Sequence, residues 1–305
     1  MARNREKKHE SLVHQVEGIL KSKLAIGQSK QEDKKAERAL LKEKRKTDSK
    51  AMLSCEECII MHKIYSWGTF RDYQKHACYF VKWCKENYNC KTLSECRKYV
   101  DKWLISRYTL SAYTIKLEAS ALAKLYDCTT NDFIKTEVRH RSDITRSRKK
   151  AKRDKNFSET KNKEFIEFCK ATGLRKQELK CLRGTQQIYK SGIYYIAVTS
   201  GAKGRRYRDA PIISNVDAVV KRMKEAGNGK VWPYVPDMDV HSFRSEYFSE
   251  IYTTLARPMD KIPKNERYHC RSDLKGICYD KRSKLIASRC LGHNRISIIA
   301  EHYIR

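Results

Sequence analysis

The chain has 305 residues and a formal net charge of +30, from 66 Lys and Arg against 36 Asp and Glu. That length, with 40% hydrophobic residues, suggests two domains and at least one sizeable core. No apolar run approaches the roughly 18 residues of a membrane span, which excludes an integral membrane protein. A charge excess of this size selects a polyanion, nucleic acid first, over basicity that serves solubility alone.

Residues 1–10 lack the apolar centre of an export signal, so a cytoplasmic, nucleoid-associated protein is expected. Residues 1–50 hold 15 Lys and Arg against 8 Asp and Glu and read as a charged N-terminal arm, either helical or disordered. A helix that orders only against DNA or a partner is the favoured form. Residues 51–135 read as a helical bundle. A short helix falls within 52–65. A long one over 69–88, started by Thr69 and Asp72, carries Phe70, Tyr73, Ala77, Phe80, Val81 and Cys84 at helical spacing. A second long helix starts near Ser94 with Cys96, Val100, Trp103 and Leu104, and a third near Ser111 with Ile115, Leu117, Leu122 and Leu125.

Residues 136–155 change character. Over 135–155 there are ten Lys and Arg, three Asp and Glu and almost nothing apolar. This is an interdomain linker suited to lie along a phosphate backbone, through Arg139, Arg141, Arg146, Arg148, Lys149, Lys150, Lys152 and Arg153. Residues 156–305 form a second, α+β domain. Helices are expected at about 158–170 and 174–182. The hydrophobic period then becomes alternating, giving a three-stranded antiparallel meander over 186–190, 193–200 and 206–213. Helices follow near 214–226, 240–256 and 281–304.

The twelve cysteines are irregularly spaced in a large chain, and reduced thiols are the better reading. Cys55 and Cys58, with His62 nearby, and His269, Cys270 and Cys278 are the two places where a zinc site deserves a check. Neither has a complementary pair at finger spacing, so no metal is expected. Nucleotide-binding glycine signatures, HExxH and paired-carboxylate nuclease motifs are all absent. A basic DNA-acting enzyme without a metal must neutralise phosphate with side chains.

Such side chains occur in four short motifs. They are Thr172-Gly173-Leu174-Arg175-Lys176-Gln177-Glu178-Leu179, Lys203 in the turn between the second and third strands, His241-Ser242-Phe243-Arg244, and Leu291-Gly292-His293 followed by Tyr303. Each is weak alone: a lone arginine is usually a helix-surface charge, a lone histidine caps or packs, and a lone terminal tyrosine is rarely a nucleophile. In this order, with a β-hairpin between the first and third, the set resembles the tyrosine recombinase (phage integrase) family across the whole C-terminal domain. The helical segment before it is similar to that family's core-binding (SAM-like) domain.

The resemblance implies a mostly helical α+β protein in which the two domains form a clamp around DNA. It implies a site-specific recombinase that cleaves and rejoins strands through a covalent 3′-phosphotyrosine and a Holliday junction. The expected partners are duplex DNA with an inverted-repeat core site, three further copies of the chain in a tetramer, and accessory DNA-bending proteins. No cofactor is implied, because the reaction is a transesterification. Arg175 and Arg244 would offer bidentate donors to the non-bridging oxygens. Tyr303 would be the nucleophile. Lys203 would protonate the leaving 5′ oxygen, His241 would act as base or phosphate ligand, His293 would donate to a non-bridging oxygen, and Glu178 would orient the cluster. Arg205 and Arg206, beside Lys203, are further DNA-contact candidates. Tyr279 and Tyr252 are poorer nucleophiles by spacing, and His302 reads as surface.

Two departures from the family pattern stand out. The stretch between Arg244 and Leu291 is long, so residues 257–284 read as an inserted DNA- or protein-contacting loop. The sequence also ends two residues after Tyr303, which puts the usual exchange of a C-terminal tail between subunits in doubt. The rival readings are a type IB topoisomerase, which would relax plasmids lacking any recombination site, and a non-cutting DNA-binding or architectural protein, which would never form an adduct.

Overall fold

The computed structural model describes residues 10–54, 56–140, 143, 157–202, 207–293 and 296. It divides into two units, Met1–Arg139 and His140–Arg305. The fold is α+β and mostly helical, with two small antiparallel sheets.

The first unit contains α1 (Leu12–Ser22), α2 (Lys30–Thr47), α3 (Ile59–His62), α4 (Trp67–Tyr88), α5 (Leu93–Arg97), α6 (Val100–Ser106) and α7 (Ala112–Leu125). Ser11, Ser29, Ser66, Thr92 and Ser111 cap α1, α2, α4, α5 and α7 with side-chain oxygens that accept from the first turn. Helix α4 starts at Ser66 rather than Thr69, because the Ser66 hydroxyl satisfies the Thr69 N–H. The helix expected from Ser94 divides into α5 and α6. Helix α4 packs on α1 and α7, and its Ala77, Phe80, Val81 and Cys84 are fully buried with Leu104, Ile115 and Leu122.

Within the segment expected to be an arm, α1 is packed rather than free-standing. Leu12, Val16 and Leu20, one face of α1 at four-residue spacing, lie in this same core. Only α2 keeps the expected character. It buries no residue and is tethered by polar contacts. Asp33 accepts from Tyr65 at 2.7 Å and Lys63 at 3.1 Å, and Glu37 accepts from the Ile60 N–H at 2.7 Å.

The second unit begins with α8 (Lys163–Thr172) and α9 (Lys176–Cys181). Next come β1 (Gln187–Lys190), β2 (Ile193–Val198) and β3 (Arg208–Pro211), a meander in the order β1-β2-β3. Its register pairs Lys190 with Ile193 and Val198 with Arg208. Helices α10 (Val216–Ala226) and α11 (Val240–Leu255) follow. The main core gathers Phe165, Phe168, Leu179, Ile196, Met223, Trp232 and Phe243. Trp232 meets Phe165 and Phe168 edge-on, at 5.0 and 5.4 Å between centroids.

The long stretch after α11 is folded rather than a simple loop. Strands β4 (Arg267–His269) and β5 (Cys278–Asp280) pair antiparallel, His269 opposite Cys278, and β5 runs directly into α12 (Lys281–Cys290). Arg257, at the start of the stretch, donates to Asp280 at its end at 2.8 and 2.9 Å. Inside, the Lys284 ammonium lies 3.4 Å from the Tyr268 ring centroid. Helix α12 packs on α11, with Ala287 and the following Leu291 buried against Tyr247, Phe248 and Ile251. It covers the first part of the helix expected over 281–304, most of whose remaining residues lie outside those described.

Candidate active site

The site is built around Gly173, where α8 ends. Gly173 takes the left-handed conformation (φ +57°) and its N–H donates to Cys169 O at 3.0 Å. A Cβ there would stand 2.3 Å from Cδ1 of the buried Tyr247 ring, so glycine is required by space as well as by φ. Two residues on, Arg175 has extended backbone angles and forms the N-cap of α9. The three-residue spacing in Arg175-Lys176-Gln177-Glu178 brings Glu178 back over this cap. Its Oε2 accepts from Arg175 N at 2.7 Å and its Oε1 from Arg175 Nη1 at 2.8 Å.

Glu178 is buried, and a second guanidinium meets it face to face. Arg208, the first residue of β3, donates from Nη1 to Oε1 at 2.7 Å and from Nη2 to Oε2 at 2.6 Å. Burial pushes the Glu178 carboxyl up, but the Arg208 bonds and charge, the Arg175 N–H and the Arg244 charge outweigh it and bring the pKa down to about 2.

Asp239 caps α11, accepting from His241 N at 3.1 Å. The HxxR spacing then places His241 and Arg244 three residues apart on one helix face. His241 is exposed and Arg244 has no exposed surface at all. The Arg244 guanidinium donates to two backbone carbonyls, Gly173 O and Leu291 O. Arg175 Nη2 reaches the same Leu291 carbonyl at 3.2 Å. Leu291-Gly292-His293 therefore forms the floor on which the two motif arginines meet.

His293 is fixed by its own backbone, with N donating to Ser288 O at 2.9 Å and O accepting from Ser288 Oγ at 3.1 Å. Burial first, and then the charges of Arg244, Arg175, Arg208 and His241, bring its imidazole pKa down to about 3. Hydrogen bonds tie Arg175, Arg208 and Arg244 into the same cluster through Glu178 and the Leu291 carbonyl. Three guanidiniums thus surround one carboxylate and a neutral imidazole, an arrangement suited to an anion.

Of the sequence-predicted catalytic set, Arg175, Glu178, His241, Arg244 and His293 come together. Lys203 and Tyr303 lie outside the described residues, as do Arg141, Arg146, Arg148, Lys149, Lys150, Lys152, Arg153, Arg205 and Arg206. The approach to the Lys203 turn is described: Gly201 (φ +70°) lies so close to α9 that a Cβ would stand 2.7 Å from Gln177 O. Arg139 lies in the first unit, its guanidinium 5.3 Å from the Tyr113 ring centroid.

Among the described residues no group of three His, Cys, Asp or Glu side chains could hold a metal ion. His62 bonds to Asp127 at 2.7 Å, and His269 bonds to Cys278 at 3.0 Å across the β4–β5 pair. The eleven described cysteines form no disulfide. No described helix is long and apolar enough to cross a membrane.

Arg208 is the site residue that motif reasoning passes over. Its signal lies in the strand pattern: β3 alternates buried and half-buried positions, with Arg208 on the buried face beside Ala210. An arginine at such a position demands a carboxylate partner.

This architecture is the tyrosine recombinase fold. Among solved structures the chain is similar to the XerH site-specific recombinase bound to difH substrate in a pre-cleavage complex, with 12% identity and a TM-score of 0.51 over 99% of this chain and 96% of that one. A post-cleavage complex of XerH with palindromic difH substrate shares 14% identity, with a TM-score of 0.47 over 96% of this chain and 90% of that one. No protein-family model and no curated protein matches the chain.

Proposed function

We propose that the protein is a site-specific DNA recombinase that breaks and rejoins strands by transesterification at tyrosine. The observation that carries this reading is the meeting of Arg175 and Arg244 on the Leu291 carbonyl, beside Glu178 and His293, in a tyrosine recombinase fold. Backbone carbonyls and Glu178 set the planes of the two guanidiniums before substrate arrives, so their charge meets the developing pentavalent phosphorane without reorganisation. Neutral His293 donates to a non-bridging oxygen, and His241, at the exposed end of α11, receives the phenol proton or binds phosphate.

Tyr303 Oη attacks phosphorus and the bond from phosphorus to the 5′ oxygen breaks. The leaving oxygen takes a proton from Lys203. The phosphodiester energy is kept in the 3′-phosphotyrosine, and a 5′ hydroxyl from another strand reverses the step. Residues 51–135 and 156–305 grip opposite faces of the duplex, with the basic 136–155 segment along the backbone. Four copies assemble on an inverted-repeat core site and pass through a Holliday junction, with accessory bending proteins where the site requires them. With a net charge of +30, binding weakens steeply with salt.

The test is a suicide duplex nicked so that the short downstream fragment bearing the new 5′ hydroxyl diffuses away on cleavage. Wild-type protein is expected to give a denaturation-resistant adduct on the 3′ phosphate. Tyr303→Phe should bind the duplex equally and give none. A persistent adduct in that variant rejects the nucleophile, and no adduct from wild-type protein on any candidate site rejects the enzyme.

A further inference from the structure

We propose that Arg208 is a positioning residue of the reaction, a guanidinium that locks the Leu291–His293 turn to Glu178 so that Arg175, Arg244 and His293 hold one arrangement around the phosphate. The inference rests on the recombinase reading above and assigns a role to a residue of the Lys203 hairpin stretch that sequence reasoning left without one.

Three contacts on three different elements carry it. Toward α9, Arg208 pairs with both oxygens of Glu178, at 2.7 and 2.6 Å. Toward α12, its Nε donates to Cys290 O at 3.1 Å, so the same planar group holds the carbonyl just before Leu291. Along its stem, Gly292 packs so closely that a Cβ there would stand 2.9 Å from Arg208 Cδ. The glycine of the Leu291-Gly292-His293 motif therefore has a second reason besides its φ of +72°: the aliphatic stem of Arg208 occupies the space a side chain would need.

These contacts complete a circuit. Glu178 holds Arg175 and Arg208, Arg208 holds Cys290, and the next residue, Leu291, holds Arg175 and Arg244. Removing Arg208 opens the circuit where the imidazole-bearing turn joins the carboxylate, while Arg175 and Arg244 keep their own carbonyls. Lysine has neither the two-pronged geometry nor a third donor at the Nε position, so it cannot replace all three contacts. An open cavity of about 670 Å³, lined by Tyr207, Arg208, Asp209, Arg289 and Gly292 among others, flanks the guanidinium and admits small solutes.

The experiment uses the full chain, with Arg208→Ala and Arg208→Lys. In single-turnover cleavage of the suicide duplex, Arg208→Ala should fall on the order of 10²-fold, with duplex affinity within about threefold. Arg208→Lys should recover less than a tenth of the loss, and added guanidinium chloride, below denaturing concentration, should raise the Arg208→Ala rate. The second readout needs no DNA: the titration of His293 by nuclear magnetic resonance. Its imidazole faces Arg208 from β3, Arg244 and His241 from α11 and Arg175 from the α8–α9 turn. Loss of Arg208 should raise its pKa. An unchanged His293 titration, or cleavage per DNA-bound molecule equal to wild type, overturns the proposal. If wild-type protein forms no adduct, the recombinase reading fails, and the His293 titration still decides whether the Arg208 guanidinium acts on the imidazole-bearing turn.

Discussion

Two buried carboxylates organise the second unit, and they are balanced in opposite ways. Asp280 accepts from Arg257 Nε and Nη2 at 2.8 and 2.9 Å, from Arg282 N at 3.0 Å and from Ser283 Oγ at 3.2 Å. Arg257 in turn pairs with Glu266 at 2.7 Å. One guanidinium between two carboxylates leaves no positive charge to offer, and the cluster closes the 257–284 stretch and caps α12. Glu178 is one carboxylate among Arg175, Arg208 and Arg244. Both acids are held well below the usual carboxylate range, Asp280 chiefly by the Arg257 bonds. A depressed carboxyl therefore does not by itself mark an active site; the ratio of cations to anions around it separates a structural clasp from an anion receptor.

The largest effects should come from breaking each cluster at its arginine. Arg175→Ala should lower suicide-duplex cleavage by about 10³-fold, since under the proposed mechanism it removes a donor to the transition state. It should leave Tm within a few degrees, because Arg208 still neutralises Glu178. Arg257→Ala should do the reverse, lowering Tm by about 5 °C or more while cleavage per folded molecule stays within about threefold. Thermal unfolding and single-turnover kinetics on both variants check this. A cleavage loss in Arg257→Ala as deep as that in Arg175→Ala would dissolve the distinction between clasp and receptor.

The same contrast explains what could be read from the sequence. The motifs of the candidate site are local: Arg175 to Glu178 and His241 to Arg244 are three-residue spacings on helix starts, and helix geometry alone puts each pair together. Leu291-Gly292-His293 is legible because its glycine and histidine are tied to the backbone of one turn. Arg208 escaped because its meaning is long-range, its partners being 30 and 82 residues away in sequence. Likewise α1 reads as charged when averaged over residues 1–50, yet Leu12, Val16 and Leu20 give it one apolar face that α4 covers. Averaging over a segment hides a stripe that only three side chains carry.

An intermediate effect is expected at two glycines that share a positive φ but not a wall. Gly192, at +79° in the β1–β2 turn, has nothing within 4 Å of where its Cβ would be. Gly192→Ala should cost only backbone strain, about 1–2 kcal/mol. Gly173 at +57° faces the Tyr247 ring. Gly173→Ala should cost at least twice as much in calorimetric unfolding and should also lower cleavage, since Gly173 O anchors Arg244. Equal losses in the two variants would mean that the ring yields and the close approach at Gly173 is not needed.

The smallest effect is a pH dependence that separates the two titrating members of the site. His293 titrates at about 3 in the folded chain, against about 6.5 when unfolded. Above that upper value the imidazole is neutral in both states and contributes nothing. As pH falls below it, the unfolded chain takes up the proton first, so stability declines until about pH 3. Glu178, at about 2 in the fold and about 4.3 unfolded, has its full stabilising effect above pH 4.3 and loses it as pH falls toward 2. Between about pH 6.5 and 4.5 the slope of Tm therefore carries the His293 contribution without that of Glu178. His293→Gln should flatten that interval and leave the steeper loss below pH 4.3, whereas Glu178→Gln should flatten the lower interval. Because a bound phosphate diester would favour the imidazolium, a duplex should reduce the His293 part of the slope in wild-type protein. A His293→Gln curve parallel to wild type across the upper interval would show that neither burial nor the surrounding guanidiniums hold the imidazole neutral, and would remove the electrostatic argument that this cluster awaits an anion.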